Sequence, residues 1–139
     1  MLTECIIDTL KNDATLRGLL GASTAANSPI MASFSLIEVT NKAISVGVVY
    51  GESEETGYEH GIINIEVYVH NSVTNNAPVK MVSDISKRVI VLLDLKGSQL
   101  NGTLATKVYR LRKTAFDMLY DDISKCHVGI LNFEFYVTL

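Results

Sequence analysis

The chain has 139 residues, of which 47% are hydrophobic and 19% are charged, and it contains only 2 prolines. This length and composition predict a single globular domain over residues 1–139, with a core large enough to fold without disulfides or a structural metal. The formal net charge is −3 at neutral pH. Such a charge creates no general positive field for a nucleic-acid backbone, so a dedicated DNA-binding protein is disfavoured.

The N-terminal segment contains Glu4 and Asp8 but no basic residue among its first eight, which disfavours a secretory signal peptide and predicts a cytoplasmic chain. The uncharged span 18–37 is interrupted by glycine, proline and a run of small polar residues, so we interpret it as a loop and not as a membrane anchor. Cys5 and Cys126 lie at opposite ends of the chain without paired spacing. We expect both to be free thiols, with Cys5 on the buried stripe of a helix.

The first predicted element is an amphipathic helix over residues 3–20, where apolar residues recur at helical spacing. The pattern breaks near Asn12 and Asp13, so the helix is expected to break or restart there. Gly21 is well placed as its C-terminal stop. The following residues, 22–33, are small and polar and predict a long surface connection.

Alternation of apolar and polar residues, which is typical of half-buried strands, recurs in the middle and at the end of the chain. Residues 34–40 and 43–50 predict a hairpin, and residues 62–70 predict the next strand. Residues 128–139 predict a last strand that closes the sheet. Residues 104–120 fit either a helix or a strand, and we favour a strand because the segment is rich in β-branched side chains.

A second helix is predicted over residues 78–95, because Pro78 suits a first helical turn and the apolar residues that follow mark one face. It is expected to pack on the sheet and to end near Gly97. Together these elements predict an α+β fold, in which a mixed, mainly antiparallel β-sheet packs against two main α-helices in a single domain.

Two of the predicted strands share a pattern, Asn-Ile-Glu-Val-Tyr-Val at 64–69 and Asn-Phe-Glu-Phe-Tyr-Val at 132–137. Six residues are too few to indicate a duplication, and we interpret the echo as convergence on a common binary pattern. It predicts two strands with the same polar face, which can meet water or another subunit. The residues of this face are Asn64, Glu66, Tyr68, Asn132, Glu134 and Tyr136.

The sequence gives no positive argument for catalysis. His60, His70 and His127 are widely separated and show no metal-ligand spacing, and neither nucleotide-binding loops nor a nucleophile elbow occurs. Glu66 and Glu134 could lie side by side as a carboxylate pair, but we interpret them as surface or interface residues. A small enzyme or a ligand-binding α/β module that uses the polar face and His127 stays open as an alternative.

Charge is segregated along the chain. Residues 51–61 contain four acidic residues and no Lys or Arg, whereas residues 107–113 contain four basic residues and no acid. These blocks are either solvated surface or the two halves of a head-to-tail contact between subunits that closes into a ring. The acidic block consists of Glu52, Glu54, Glu55 and Glu59, and the basic block of Lys107, Arg110, Arg112 and Lys113.

The order of elements, with the run Leu-Lys-Asn-Asp-Ala-Thr-Leu-Arg-Gly-Leu-Leu-Gly at 10–21 and the run His-Val-Gly-Ile-Leu-Asn-Phe-Glu-Phe at 127–135, resembles a known family. The chain is similar over nearly its whole length to the tail terminator proteins of long-tailed bacteriophages and phage-tail-like particles, also called tail completion or minor tail proteins. It departs from them at the neutral segment 22–33, where relatives often place another short strand.

The resemblance implies a non-enzymatic virion protein that caps the tail tube as a hexameric ring, terminates tail polymerisation and offers a surface for head or neck joining. Its partners would be further copies of itself, the tail tube protein and a head-tail connector, neck or sheath protein. DNA would pass through the ring without specific binding, and neither a cofactor nor a membrane is implied. The protein would be assembled in the host cytoplasm and would reside in the virion, and a head-to-tail connector or neck protein of the same particle is the alternative.

The resemblance further implies that residues 51–61 form a projecting loop for ring or tube contacts and that the polar strand face is a subunit surface. With the basic block, the candidate contacts are Glu52, Glu54, Glu55, Tyr58, Glu59, Asn64, Glu66, Tyr68, Lys107, Arg110, Arg112, Asn132, Glu134 and Tyr136.

Overall fold

The computed structural model describes residues 2–33, 39–50, 58–73, 77–94 and 108–138. Within these ranges, three helices and a five-stranded sheet form the α+β fold that the sequence predicts. The elements in chain order are α1 (Leu2–Lys11), α2 (Ala14–Leu20), β1 (Ile30–Ala32), β2 (Lys42–Tyr50), β3 (Tyr58–His70), α3 (Pro78–Leu93), β4 (Val108–Asp121) and β5 (Cys126–Thr138).

The predicted first helix is two helices, α1 and α2, joined at the expected break. Asp13 is the N-cap of α2, and its carboxylate accepts a hydrogen bond from the backbone N–H of Leu16 at 2.8 Å. This contact satisfies one of the amides that lack an intrahelical partner. Gly21 ends α2 in the left-handed conformation with φ 73°, so both the break and the stop are confirmed. Cys5 is half-buried on α1.

The five strands lie in the order β1-β2-β3-β5-β4, and every neighbouring pair is antiparallel except β1 with β2. The prediction that residues 128–139 form a strand is confirmed, but β5 does not close the sheet. It pairs with β3 on one side and with β4 on the other, so β4 is the edge strand. The reason is local, since a tight turn after Asp121 folds β4 back against β5.

Two predictions for the region before β2 need correction. Residues 22–33 are not only a surface connection, because Ile30–Ala32 form a short strand parallel to β2 in the register Ile30↔Ile44. Ile30 is buried. The two apolar residues Ile30 and Met31 are enough to add a short strand at this edge of the sheet. The strand of residues 43–50 is confirmed as β2. Its predicted hairpin partner falls mostly on residues 34–38, outside the described residues, and residues 39–41 are not strand.

The helices cover one side of the sheet. Helix α3 begins at Pro78 as predicted and ends at Leu93, with Asp94 as its C-cap, which is slightly earlier than the predicted end near Gly97. It packs closely over β5 because residue 129 is a glycine. A Cβ atom there would lie 2.8 Å from atoms of Ser86 and Val82. The strand interpretation of residues 104–120 is confirmed from Val108 onward.

Alternate strand residues enter the core on the helix side. Ile63, Ile65, Val67 and Val69 of β3 are fully buried, as are Leu131, Phe133 and Phe135 of β5. They form one cluster with residues of all three helices. The opposite side of the sheet, which we name the open face, therefore carries the intervening residues of the same strands.

Candidate assembly surface

The open face contains all six residues of the predicted polar face, and each of them is half-buried. Asn64 lies directly opposite Asn132 in the β3–β5 register. Because the strands are antiparallel, the shared Asn-x-Glu-x-Tyr pattern runs away from this Asn pair in both directions. The echo in the sequence thus becomes a local twofold arrangement, with one Glu-Tyr pair on each side of a central Asn pair.

This register separates the two carboxylates. Glu66 lies opposite Ile130, and Glu134 lies opposite Ile62. Glu134 is therefore four residues along β5 from the position opposite Glu66, or about 13 Å at the usual rise of a strand. The possibility that Glu66 and Glu134 lie side by side as a carboxylate pair is wrong, because antiparallel pairing reverses the order of the second copy of the pattern.

Each carboxylate is instead held by its own neighbours. Glu66 accepts hydrogen bonds from the Tyr68 hydroxyl and, at 3.3 Å, from the Asn64 side-chain amide. Glu134 accepts a hydrogen bond from the Tyr136 hydroxyl at 2.6 Å. It also accepts one from the guanidinium of Arg112 on β4 at 2.8 Å, with which it forms an ion pair. Both oxygens of each carboxylate are engaged, which fixes their orientation and makes them acceptors in a network.

The Tyr68 hydroxyl has a strongly perturbed titration. Burial raises the pKa of Tyr68 well above its ordinary value of 10.0, and its hydrogen bond to the Glu66 carboxylate raises the pKa further. The burial comes from a satellite cluster of Val39, Ala43, Cys126 and Val128, against which the Tyr68 ring packs. At this end of the open face, apolar residues therefore lie beneath the polar ones.

The opposite end of the open face carries an apolar pair that is not among the predicted contacts. Val49 of β2 lies opposite Ile62 of β3, and their exposed fractions are 65% and 50%. The signal was present in the sequence, because Ile62 occupies a position on the polar face where its same-face neighbours along the strand are His60 and Asn64. An exposed cross-strand pair of this kind is a natural contact point for another surface.

The described residues of the two charge blocks lie at one end of the sheet. The acidic block precedes and enters β3, the basic block precedes and enters β4, and both strands pair with the C-terminal end of β5. Two strand spacings, roughly 10 Å, separate β3 from β4 there. Glu52, Glu54, Glu55 and Lys107 lie outside the described residues, and Tyr58, Glu59 and Arg110 are described for their backbone alone.

The histidines occupy three separate local environments. His60 stacks with Tyr136, with ring centroids 5.9 Å apart, and His127 packs at a tilt against Tyr120 at 4.9 Å. His70 contacts the Ser72 hydroxyl through Nδ1 at 2.8 Å. Among the described residues, no three acidic, histidine or cysteine side chains converge in a way that could hold a metal ion.

Both cysteines are free, and burial raises the pKa of the Cys126 thiol. In the described part of the chain, no helix has the length and apolar character needed to span a bilayer.

Comparison with known proteins gives a likeness in fold. No protein-family model and no curated protein matches the sequence. A solved chain in a structure described as the virion of a native gene transfer agent (GTA) particle has the same fold, with a TM-score of 0.69. The match covers 96% of this chain and 92% of that chain at 14% sequence identity. At that identity the similarity establishes a shared fold over nearly the full length of both chains.

Proposed function

We propose that this protein is a structural component of a phage-like particle and, more narrowly, the terminator that caps the tail tube as a hexameric ring. The observation that carries the proposal is the fold shared with a chain of a gene transfer agent virion, because it extends over 96% of this protein. The order of elements that resembles the tail terminators supports the same role. In this role the protein binds further copies of itself, the tail tube protein and a connector, neck or sheath protein.

The open face supports an assembly role over a catalytic one. Its carboxylates are fixed by Tyr, Asn and Arg neighbours and lie about 13 Å apart along the strands, so they do not form an acid–base pair. The exposed pair Val49 and Ile62 lies beside this polar network. A partly apolar, partly polar surface of fixed geometry is what a subunit contact requires.

The charge blocks support a contact between subunits at one end of the sheet. Because Glu59 and the described basic residues lie at that end, we expect the acidic block of one subunit to meet the basic block of its neighbour around the ring. An excess of negative charge on the lumen would let DNA pass without adhering, because like charges repel the phosphates. The protein would then be localised in the virion, and no cofactor is needed for any of these roles.

The test combines solution mass with particle assembly. Light scattering of the purified protein, alone and with purified tail tubes, should show a ring or ring formation on the tubes. Particles made without the protein should carry tails of uncontrolled length. Tails of normal length that stay unattached to heads would assign the protein to the connector or neck instead.

Charge reversal tests the contact between blocks. The triple variant Glu52→Lys, Glu54→Lys and Glu55→Lys should impair ring formation, whereas Asp84→Lys on the exposed side of α3 should not. Unchanged assembly of the triple variant would exclude the electrostatic contact. An enzymatic activity abolished by both Glu134→Gln and His127→Ala would refute the structural role.

A further inference from the structure

Strand β4 is an edge of the sheet, and among the described residues it pairs only with β5. The outer side of an edge strand presents unpaired N–H and C=O groups, which form a template for another strand. Proteins usually protect such an edge by bulges, by charged side chains or by covering it. The distribution of these devices along β4 indicates where the strand is available.

The irregular register of β4 and its hydrogen bond from another element are confined to its first half. The Asp94 carboxylate at the end of α3 accepts a hydrogen bond from the backbone N–H of Lys113 at 3.0 Å. The register with β5 is irregular twice, between Val108 and Arg110 and between Lys113 and Ala115. Two charged side chains, those of Arg112 and Lys113, are exposed in this half as well.

Among the described residues, the second half, 115–121, shows neither a register irregularity nor a hydrogen bond from another element to its outer edge, and its charged side chains are those of Asp117 and Asp121. Its register with β5 is continuous, from Ala115 opposite Asn132 to Asp121 opposite Cys126. Three consecutive apolar residues are exposed here, namely Met118 at 41%, Leu119 at 46% and Tyr120 at 43%. A regular, apolar stretch of edge is the part of β4 best suited to accept another strand.

We propose that residues 115–121 pair antiparallel with the same residues of a second copy of this chain, about a twofold axis at Met118. The axis is perpendicular to the sheet, so it joins the two sheets with their helix sides on the same side. It places Phe116 opposite Tyr120 of the partner subunit and Asp117 opposite the partner's Leu119. Aromatic pairs across strands are among the favourable ones.

The charges disfavour the two adjacent registers. An axis at residue 117 would place the two copies of Asp117 against each other, and an axis at Leu119 would place Asp117 against the partner's Asp121. Like charges directly opposite destabilise a strand pair. Antiparallel pairing about Met118 also brings the acidic end of each strand, Asp121 and Asp122, toward the basic half of the other. The second copy is therefore complementary to this edge in both its apolar and its charged residues.

This contact does not rest on the proposed function, because it uses no residue of the acidic block and none of the six polar residues of the open face. It generates a twofold dimer, which is distinct from a head-to-tail ring. The experiments can therefore distinguish a protein that forms the ring without this dimer from one that forms the dimer without a role in a particle.

The first test is the dimer dissociation constant measured by sedimentation equilibrium. Met118→Lys places two lysines against each other at the axis and should weaken the dimer at least about tenfold. Val91→Lys is the matched control, because Val91 on α3 is exposed to 59% and is not part of the paired strand, and it should leave the dimer unchanged. A wild-type protein that stays monomeric at about 100 µM, an affinity weaker than most specific contacts, would overturn the proposal.

The second test fixes the register. In a Cys5→Ser background, Met118→Cys should form a disulfide-linked dimer under mild oxidation, because directly opposed residues of antiparallel strands have Cα atoms about 4.5–5.5 Å apart. Val91→Cys should not form the link. Equal cross-linking of both variants, or none at position 118 in a sample that contains dimers or larger assemblies, would overturn the twofold strand pairing.

Discussion

Asp13 joins two helices to each other. Its replacement should lower the free energy of unfolding by a large amount, which can be divided into the contributions of a helix cap and an ion pair. Its carboxylate caps α2 through the N–H of Leu16 at 2.8 Å and accepts two hydrogen bonds from Arg88 of α3, at 2.9 and 2.8 Å. The exposed side-chain fractions are 14% for Asp13 and 30% for Arg88. The pair is thus partly buried, and its bidentate geometry is the favourable one for Arg and a carboxylate.

The magnitude follows from the two contacts. Loss of an N-cap costs about 1 kcal/mol, and a bidentate pair that is partly exposed contributes about 1 kcal/mol. Asp13→Ala removes both and should lower the free energy of unfolding by about 2 kcal/mol. Asp13→Asn keeps a good cap but loses the charge, so it should cost about 1 kcal/mol. Urea unfolding followed by circular dichroism at neutral pH measures both values.

A double-mutant cycle and a pH series complete the test. Asp13→Asn combined with Arg88→Ala should show a coupling energy of about 1 kcal/mol. The Arg88 hydrogen bond is the main cause that lowers the pKa of Asp13 below 3.8. A carboxyl whose pKa is lower in the folded state contributes stability above the unfolded pKa and loses it as the pH falls through the folded value. The difference between wild type and Asp13→Asn should therefore be constant near neutrality and shrink below pH 3.8.

Equal losses for Asp13→Ala and Asp13→Asn would refute the division into cap and ion pair. A difference between wild type and Asp13→Asn that persists at low pH would refute the role assigned to the charge.

Two further predictions address the packing of the sheet. Gly129→Ala should lower the free energy of unfolding by about 1–3 kcal/mol, because its Cβ would lie 2.8 Å from two atoms of α3. Gly18→Ala in α2 meets open space, so urea unfolding should show no loss for this control and a gain of up to about 1 kcal/mol. Tyr68→Phe should leave the phenolate absorbance change near pH 10 at its wild-type amplitude, because the raised pKa keeps Tyr68 protonated there. A smaller amplitude in that variant would show that Tyr68 titrates normally. As the pH rises beyond 10, the wild type should lose more stability than Tyr68→Phe, because the folded state holds the proton of Tyr68 more tightly than the unfolded state.

Local patterns in the sequence were sufficient to predict which side of β3 and β5 is buried. Period-two alternation fixes the face of a residue, and Ile63, Ile65, Phe133 and Phe135 accordingly lie in the core. The helix break was also predictable, because the capping role of Asp13 depends on residues within one turn of it. These features depend only on residues that are close together in the sequence.

Strand neighbours were not predictable in the same way. Alternation does not tell which strand lies beside which, so the prediction placed β5 at the closing edge of the sheet. The short strand β1 was also missed. The same limit applies to the open face. Its residues follow from the alternation, but the distance between Glu66 and Glu134 depends on whether the two strands are parallel or antiparallel and on their register.

The paired Asn-x-Glu-x-Tyr patterns have a consequence for how a partner is oriented. A surface with local twofold symmetry would present the same chemistry to a partner and to that partner turned by half a revolution. The strands outside the pattern remove this ambiguity, because Arg112 of β4 flanks Glu134 whereas Ser45 of β2 flanks Glu66. Within the described ranges, the arm that contains Glu134 thus carries a cation and the arm that contains Glu66 does not. Arg112 gives the open face a direction, and an assembly with polarity depends on such a distinction in each of its subunits.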